Sequence, residues 1–129
     1  DLASAAQLGL MPTGNASRSL SSPPSPGTSN CFIENGTVSL EELIADIKDG
    51  FLVTEFIGSS VSITTGDYSR GASGFWIENG EIAYPVTEAT IAGNLKEMFF
   101  ELTPANDIDL RFSTSAPSIR VDGMMVAGG

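Results

Sequence analysis

The sequence predicts a mainly β fold of the α+β class, an antiparallel β sandwich or partial barrel with two short helices. Three observations carry that expectation. The pair Asn79-Gly80 separates two apolar-rich runs, the strongest hairpin signal in the chain. Phe51–Ile57, Val61–Thr65, Asn106–Phe112 and Ile119–Val126 have the composition of further strands. The helical stretches lie singly among these runs and do not alternate with them as βαβ units would.

Residues 1–16 are weakly patterned, with Gly9, Pro12 and Gly14 interrupting any long element. Residues 17–29 are rich in Ser, Pro and Gly and read, by themselves, as a linker or long surface loop. We therefore expect a single domain over residues 1–129, with a loop-rich N-terminal segment at 1–29 and a compact β-rich portion at 30–129. Ser39 and Glu42 form a capping box, and Leu40, Leu43, Ile44 and Ile47 follow as one apolar stripe that Gly50 ends. A second helix begins at Asn94 with Glu97 three residues on, carries Leu95, Met98, Phe99 and Leu102, and cannot pass Pro104. Between the helices, Ser73–Glu78 and Glu81–Val86 form the hairpin. A plain two-residue turn sets Ile77 against Ile82 and Phe75 against Tyr84, one buried patch, and Glu78 against Glu81 in water. The tetrad Ile-Glu-Asn-Gly occurs at 33–36 and again at 77–80, which shared turn chemistry explains better than a duplication.

Composition removes whole classes of chemistry. Hydrophobic residues make up 41% and charged residues 17%, which suits a chain with one real core. Histidine is absent and Cys31 is the single cysteine, so no Ser-His-Asp or Cys-His pair, zinc finger or internal disulfide can form within these residues. If this chain touches a catalytic metal or an imidazole base, another chain or a missing segment must supply it. Sixteen acids against six bases leave a net charge of −10, a field that repels phosphate backbones and anionic lipid. No apolar run approaches the ~18–20 residues of a membrane span. The chain opens Asp-Leu-Ala-Ser, with neither a Met start nor a basic leader, and we expect it to be an excised piece of a longer protein.

Several motifs invite a functional reading. Gly66-Asp67-Tyr68-Ser69-Arg70-Gly71 has the glycine spacing of a phosphate loop but lacks its lysine, and the net charge is hostile to nucleotides. The segment reads as a polar, glycine-bounded loop. Either an internal Asp67–Arg70 pair stiffens a turn, or Tyr68 and Arg70 form a docking surface for a peptide or partner. Glu55 interrupts an apolar run, so it either faces solvent or is a buried acid with a partner, as a register pin or a site acid. Asp107 and Asp109, two apart, would share one strand face, solvated or able to hold a hard cation. The sequons at Asn15 and Asn35 carry no weight without secretion. Cys31, leading into Phe32 and Ile33, reads as a buried inert thiol.

Residues 65–82, Thr-Gly-Asp-Tyr-Ser-Arg-Gly-Ala-Ser-Gly-Phe-Trp-Ile-Glu-Asn-Gly-Glu-Ile, closely resemble the C-terminal region of the PmbA/TldE proteins. The resemblance continues through Tyr84–Glu88 and Thr90–Leu95. It also takes in Thr13–Arg18, Glu41–Ile44, Leu52–Glu55 and the closing Gly123-Met124 to Ala127-Gly128-Gly129, in the family's order. In that family the 17–29 segment looks like an integral loop of the domain.

The resemblance implies a cytoplasmic bacterial heteromer of TldD and TldE/PmbA subunits, a zinc metallopeptidase that degrades unfolded polypeptides and matures modified peptides. The family also carries the label modulator of DNA gyrase. Zinc is expected in the TldD-type partner, held by a His-Glu-x-x-x-His helix and a cysteine of the C-terminal domain. In this chain Ser113-Thr114-Ser115 stands near that cysteine's place, which agrees with a TldE/PmbA-type subunit that carries no metal. No catalytic or metal residue and no cofactor is then expected here, and the partners are a TldD-type subunit and a peptide or unfolded protein. Two rival readings are an acidic module that acts directly on gyrase and a peptidase in its own right through a missing N-terminal metal site.

Overall fold

The computed structural model describes residues 1–128, apart from the side chain of Ser59. Gly129, the last residue of the closing resemblance, lies outside the described residues. The chain divides into two compact units, residues 1–33 with 109–115, and residues 34–108 with 116–129.

The first unit holds helix α1 (Leu2–Leu8), the two-residue strands β1 (Ala16–Ser17) and β2 (Ser25–Pro26), and strand β3 (Cys31–Phe32). Its α1 was not expected from the sequence, because its length gives little periodicity. Its signals are at the ends: the Asp1 carboxylate accepts from the Ala3 and Ser4 amides, and Gly9 closes the helix at φ 65°. Within the Ser/Pro/Gly stretch β1 and β2 pair antiparallel, Ala16 against Pro26 and Ser17 against Ser25.

The second unit begins with α2 (Leu40–Ala45) and continues into β4 (Asp49–Val61), β5 (Asp67–Glu78), β6 (Glu81–Asn94), α3 (Leu95–Phe100) and β7 (Leu102–Pro104). The chain then supplies β8 (Thr114–Ser115) to the first unit, where it pairs parallel with β3, before β9 (Ile119–Val121) and β10 (Met125–Ala127) complete the second. The main sheet runs β10-β6-β5-β4, antiparallel throughout, and β7 pairs with β9. Among the described residues the fold is mainly β, with three short helices and an open sheet that does not close into a barrel. None of the described helices is long and apolar enough to cross a membrane.

Both expected helices form, each shorter than its apolar stripe. In α2 the Ser39 hydroxyl accepts from the Glu42 amide and the Glu42 carboxylate accepts from the Ser39 amide, a complete capping box. The helix ends at Ala45, before Ile47, and Gly50 belongs to β4. A Cβ there would lie 2.6 Å from the Ile47 Cγ2, so a larger residue would displace the Ile47 side chain. From β9, Arg120 donates to the Leu43 carbonyl at 3.1 Å and pairs with Asp46 and Asp122, a cation at the carbonyl end of α2. Asn94 caps α3 by accepting from the Lys96 amide, and the helix ends at Phe100, leaving Leu102 to β7.

The hairpin turns at Asn79-Gly80 as expected, with φ of 49° and 83°, the positive pair that a type I′ turn requires. Glu78 opposes Glu81 and Ile77 opposes Ile82, but Trp76 then opposes Tyr84, so Ala83 is a bulge and Phe75 faces Pro85. One extra residue moves every later partner by one position. The expected burial fails with the register. Ile77 is 2% exposed, whereas Phe75, Ile82 and Tyr84 are 37%, 54% and 49% exposed. Ile77 lies on the central strand beside Gly50 and the α2–β4 corner. Ile82 lies on β6 where β10, which reaches only Thr90–Ala92, gives no cover. The remaining core is built of small side chains: Ala72, Ala89 and Ala105 are buried with Leu43 and Ile91.

Other expectations are corrected. Val61–Thr65 is mostly turn, Asn106–Phe112 is turn and coil, and Ile119–Val126 is two strands broken at Gly123, φ 77°. Cys31 is exposed, not buried. The repeated tetrad is no structural repeat, since Asn79 and Gly80 adopt positive φ and Asn35 and Gly36 do not.

Candidate functional site

The segment Gly66–Gly71 is not a free loop. Asp67, Tyr68, Ser69, Arg70 and Gly71 are the first five residues of β5, the sheet's second strand from the β4 edge, and only Gly66 stays in the β4–β5 turn. Two bounding glycines suit a loop by their conformational freedom. Gly66 does act so, at φ 82°, but Gly71 lies in the strand, where a Cβ would make a tight 3.1 Å contact with the Ile57 carbonyl oxygen.

The internal Asp67–Arg70 pair, one of the two alternatives, does not form. Residues three apart in a strand point to opposite faces, and each finds other partners. Asp67 belongs to a knot at the end of the sheet: its carboxylate accepts from the Thr65 hydroxyl at 2.7 Å and from the Asn94 side-chain amide at 3.4 Å. Asn94 also donates to the Thr65 carbonyl at 3.1 Å while capping α3, so one side chain ties the turn to the helix. A cap was legible from the sequence; its second attachment was not, because it depends on the pairing of Asp67 with Asn94 across β5 and β6.

Tyr68, Arg70 and Ala72 project from one face, and Phe56 pairs with Ala72 beside them. The Arg70 guanidinium lies 4.6 Å from the Phe56 ring centroid, and its Nε donates to the Gly58 carbonyl at 2.6 Å. Phe56 is half exposed, and Arg70 and Tyr68 are half-buried. The ion pairs among the described residues use Arg111 and Arg120, and Arg70 takes part in none of them. A planar cation is thus held rigidly at a surface while its outer N–H groups find no carboxylate among the described residues. Neither Phe56 nor Gly58 was picked out from the sequence, since their role follows from strand register alone.

The other candidates separate. Glu55 is exposed on β4, so the solvent-facing alternative is the one adopted and the buried acid is not. Asp107 and Asp109 do not share a strand face. Asp107 accepts from the Ser118 amide and hydroxyl, both at 2.7 Å, and Asp109 holds Arg111. The Ser118 hydroxyl, then its amide, keeps the Asp107 carboxyl below the usual carboxylate range. A depressed folded value stabilises the fold above the unfolded value and is lost as pH falls through the folded one. Stability should therefore drop below about pH 4, and Asp107→Asn should flatten that part of a pH series of thermal melts.

No group of three or more Asp, Glu and Cys side chains among the described residues could hold a metal ion. With no histidine in the chain, the donors present do not fit a zinc centre. Ser115, near the place where the resemblance puts a metal-binding cysteine, lies in β8 and donates to the Phe112 carbonyl at 3.2 Å.

The family model for the PmbA/TldA metallopeptidase C-terminal domain matches residues 1–128. Metalloprotease PmbA of Escherichia coli O157:H7 is 45% identical over 126 residues, 97% of this chain and 26% of that protein. TldE from Thermococcus kodakarensis superposes with a TM-score of 0.79 at 30% identity, over 96% of this chain and 29% of that one. A Bacteroides thetaiotaomicron protein described as a modulator of DNA gyrase gives a TM-score of 0.77 at 35% identity, over 99% and 27%. The chain spans about a quarter of the length of these relatives. It belongs to the PmbA/TldD metallopeptidase family, whose C-terminal domain it matches along nearly its whole length.

Proposed function

We propose that this chain is the C-terminal domain of the non-catalytic, TldE/PmbA-type subunit of a cytoplasmic bacterial TldD/TldE zinc metallopeptidase acting on unfolded or modified peptides. The zinc and the bond-breaking groups belong to the TldD-type partner in this reading. This domain contributes a surface that holds the partner or positions its peptide. The observation that carries the proposal is Arg70. On a domain with sixteen acids and six bases, it rests on Phe56 and the Gly58 carbonyl and takes part in none of the described ion pairs. A guanidinium so placed suits a carboxylate or peptide carbonyls brought by another chain. Half-exposed Phe56 beneath it gives such a chain apolar surface to cover.

The test uses the full-length protein and its TldD-type partner. Arg70→Ala removes one hydrogen bond and the contact with Phe56, so the fold should lose only ~1–2 kcal/mol. Assembly or peptide turnover should weaken about tenfold or more, ~1.4 kcal/mol. Arg70→Lys, which keeps the charge but not the fork, should recover only part of it. Unchanged assembly and turnover in Arg70→Ala would remove this site from the proposal. The net charge of −10 supports a second reading, direct contact with gyrase. Capture of purified gyrase without the TldD-type subunit would favour that reading.

A further inference from the structure

We propose that Asn79 is a site of spontaneous deamidation, and that its conversion irreversibly releases the β5–β6 hairpin tip from the α2–β4 corner. The chain holds two Asn-Gly bonds, 35–36 and 79–80, within identical tetrads, so their intrinsic chemistry is closely matched. Their surroundings are not.

Asn35 is tied at both ends of its side chain. Its amide nitrogen donates to the Asn106 carbonyl at 3.3 Å and its oxygen accepts from the Ile108 amide at 3.0 Å. The Gly36 amide, the nucleophile for this bond, donates to the carbonyl of fully buried Ala105 at 2.8 Å. A Cβ on Gly36 would come within 1.8 Å of the Pro104 carbonyl, so this crossing is packed backbone against backbone. Freeing Asn35 means breaking three hydrogen bonds at a closed crossing.

Asn79 stands at an exposed hairpin tip, and its side chain makes no hydrogen bond among the described residues. Two backbone bonds hold the tip: the Asn79 amide donates to the Lys48 carbonyl and the Gly80 amide to the Ile47 carbonyl, each at 2.8 Å. While the second bond stands, the Gly80 nitrogen is committed elsewhere, so the reaction runs through a locally opened tip. Tip opening breaks those two bonds and the close approach of Gly80 to the Ala45 carbonyl, where a Cβ would lie 2.4 Å away. It has no side-chain hydrogen bond of Asn79 to break, and among the described residues no strand pairs with the outer side of β6 there.

The chemistry needs only water. The Gly80 backbone nitrogen attacks the Asn79 side-chain carbonyl carbon and gives up its proton; the bond to the amide nitrogen breaks and ammonia leaves. Water then opens the cyclic imide at one of its two carbonyls, giving an aspartyl or isoaspartyl residue and releasing a proton. Neither product restores the tip. The aspartyl form places a third carboxylate beside the opposed Glu78 and Glu81. The isoaspartyl form adds a methylene to the main chain, which a two-residue type I′ turn cannot accommodate.

Full-length protein held at mildly alkaline pH, with and without urea, tests this by peptide mass mapping, and isoaspartyl methyl transfer identifies the second product. Without urea, Asn79 should convert at least about tenfold faster than Asn35. In urea the two should convert at similar rates. Amide exchange at Asn79 and Gly80 should accelerate in the converted fraction. Conversion of Asn35 as fast as Asn79 in the folded protein would overturn the proposal. So would an Asn79 that stays intact while the unfolded chain converts fully.

Discussion

Gly74→Ala is expected to break the β4–β5 pairing. A Cβ built there falls 1.9 Å from the Leu52 carbonyl oxygen and 3.0 Å from the Val53 Cα, and all of these atoms are main chain. A side chain could swing away; a strand paired in register cannot. The neighbouring irregularity, where Thr54 is an extra residue between Val53 and Glu55, already fixes the local path of β4. The cost should reach or exceed the upper end of the ~1–3 kcal/mol usual for overpacking. Thermal and urea unfolding would measure it. A loss below about 1 kcal/mol would mean that β4 can shift outward without disturbing the sheet.

Ile77→Ala should cost about 2–5 kcal/mol, since its side chain is enclosed between β4, β6 and the α2–β4 corner. Ile82→Ala, at the opposed position, should cost under about 1 kcal/mol because half of that side chain already meets solvent. The contrast isolates packing from strand propensity, as the two residues are identical and paired. Equal losses at both positions, read from urea midpoints at unchanged m-value, would show that Ile82 is covered in solution.

These two experiments fall where sequence and structure part. The turn at Asn79-Gly80 was legible because the turn type demands those residues. The starts of α2 and α3 were legible because a cap is a local hydrogen bond, followed there by an apolar stripe that α1 is too short to show. Burial was not legible, because it depends on which strand lies outward. The sequence holds nothing that marks Ala83 as a bulge, so the pairing of Phe75 with Tyr84 slipped to Pro85. The candidate site was legible in its members and misplaced in its shape. Gly66–Gly71 was read as a loop because two glycines and four polar residues suit one, while long-range pairing with β4 and β6 drew five of those residues into a strand. Arg70 remained the residue of interest, and its supports, Phe56 and Gly58, came from register that no local pattern encodes.

The composition of the first unit has a consequence in time. It takes residues 1–33 from one end of the chain and 109–115 from far along it, joined by the parallel pairing of Cys31 and Phe32 with Thr114 and Ser115. During synthesis the β4–β5–β6 meander, whose partners are near neighbours in the chain, can pair as soon as it emerges. Residues 31 and 32 must wait for the ribosome to deliver 114 and 115 and then close a long loop at an entropic cost. Residues 1–33 are made before the meander and completed after it.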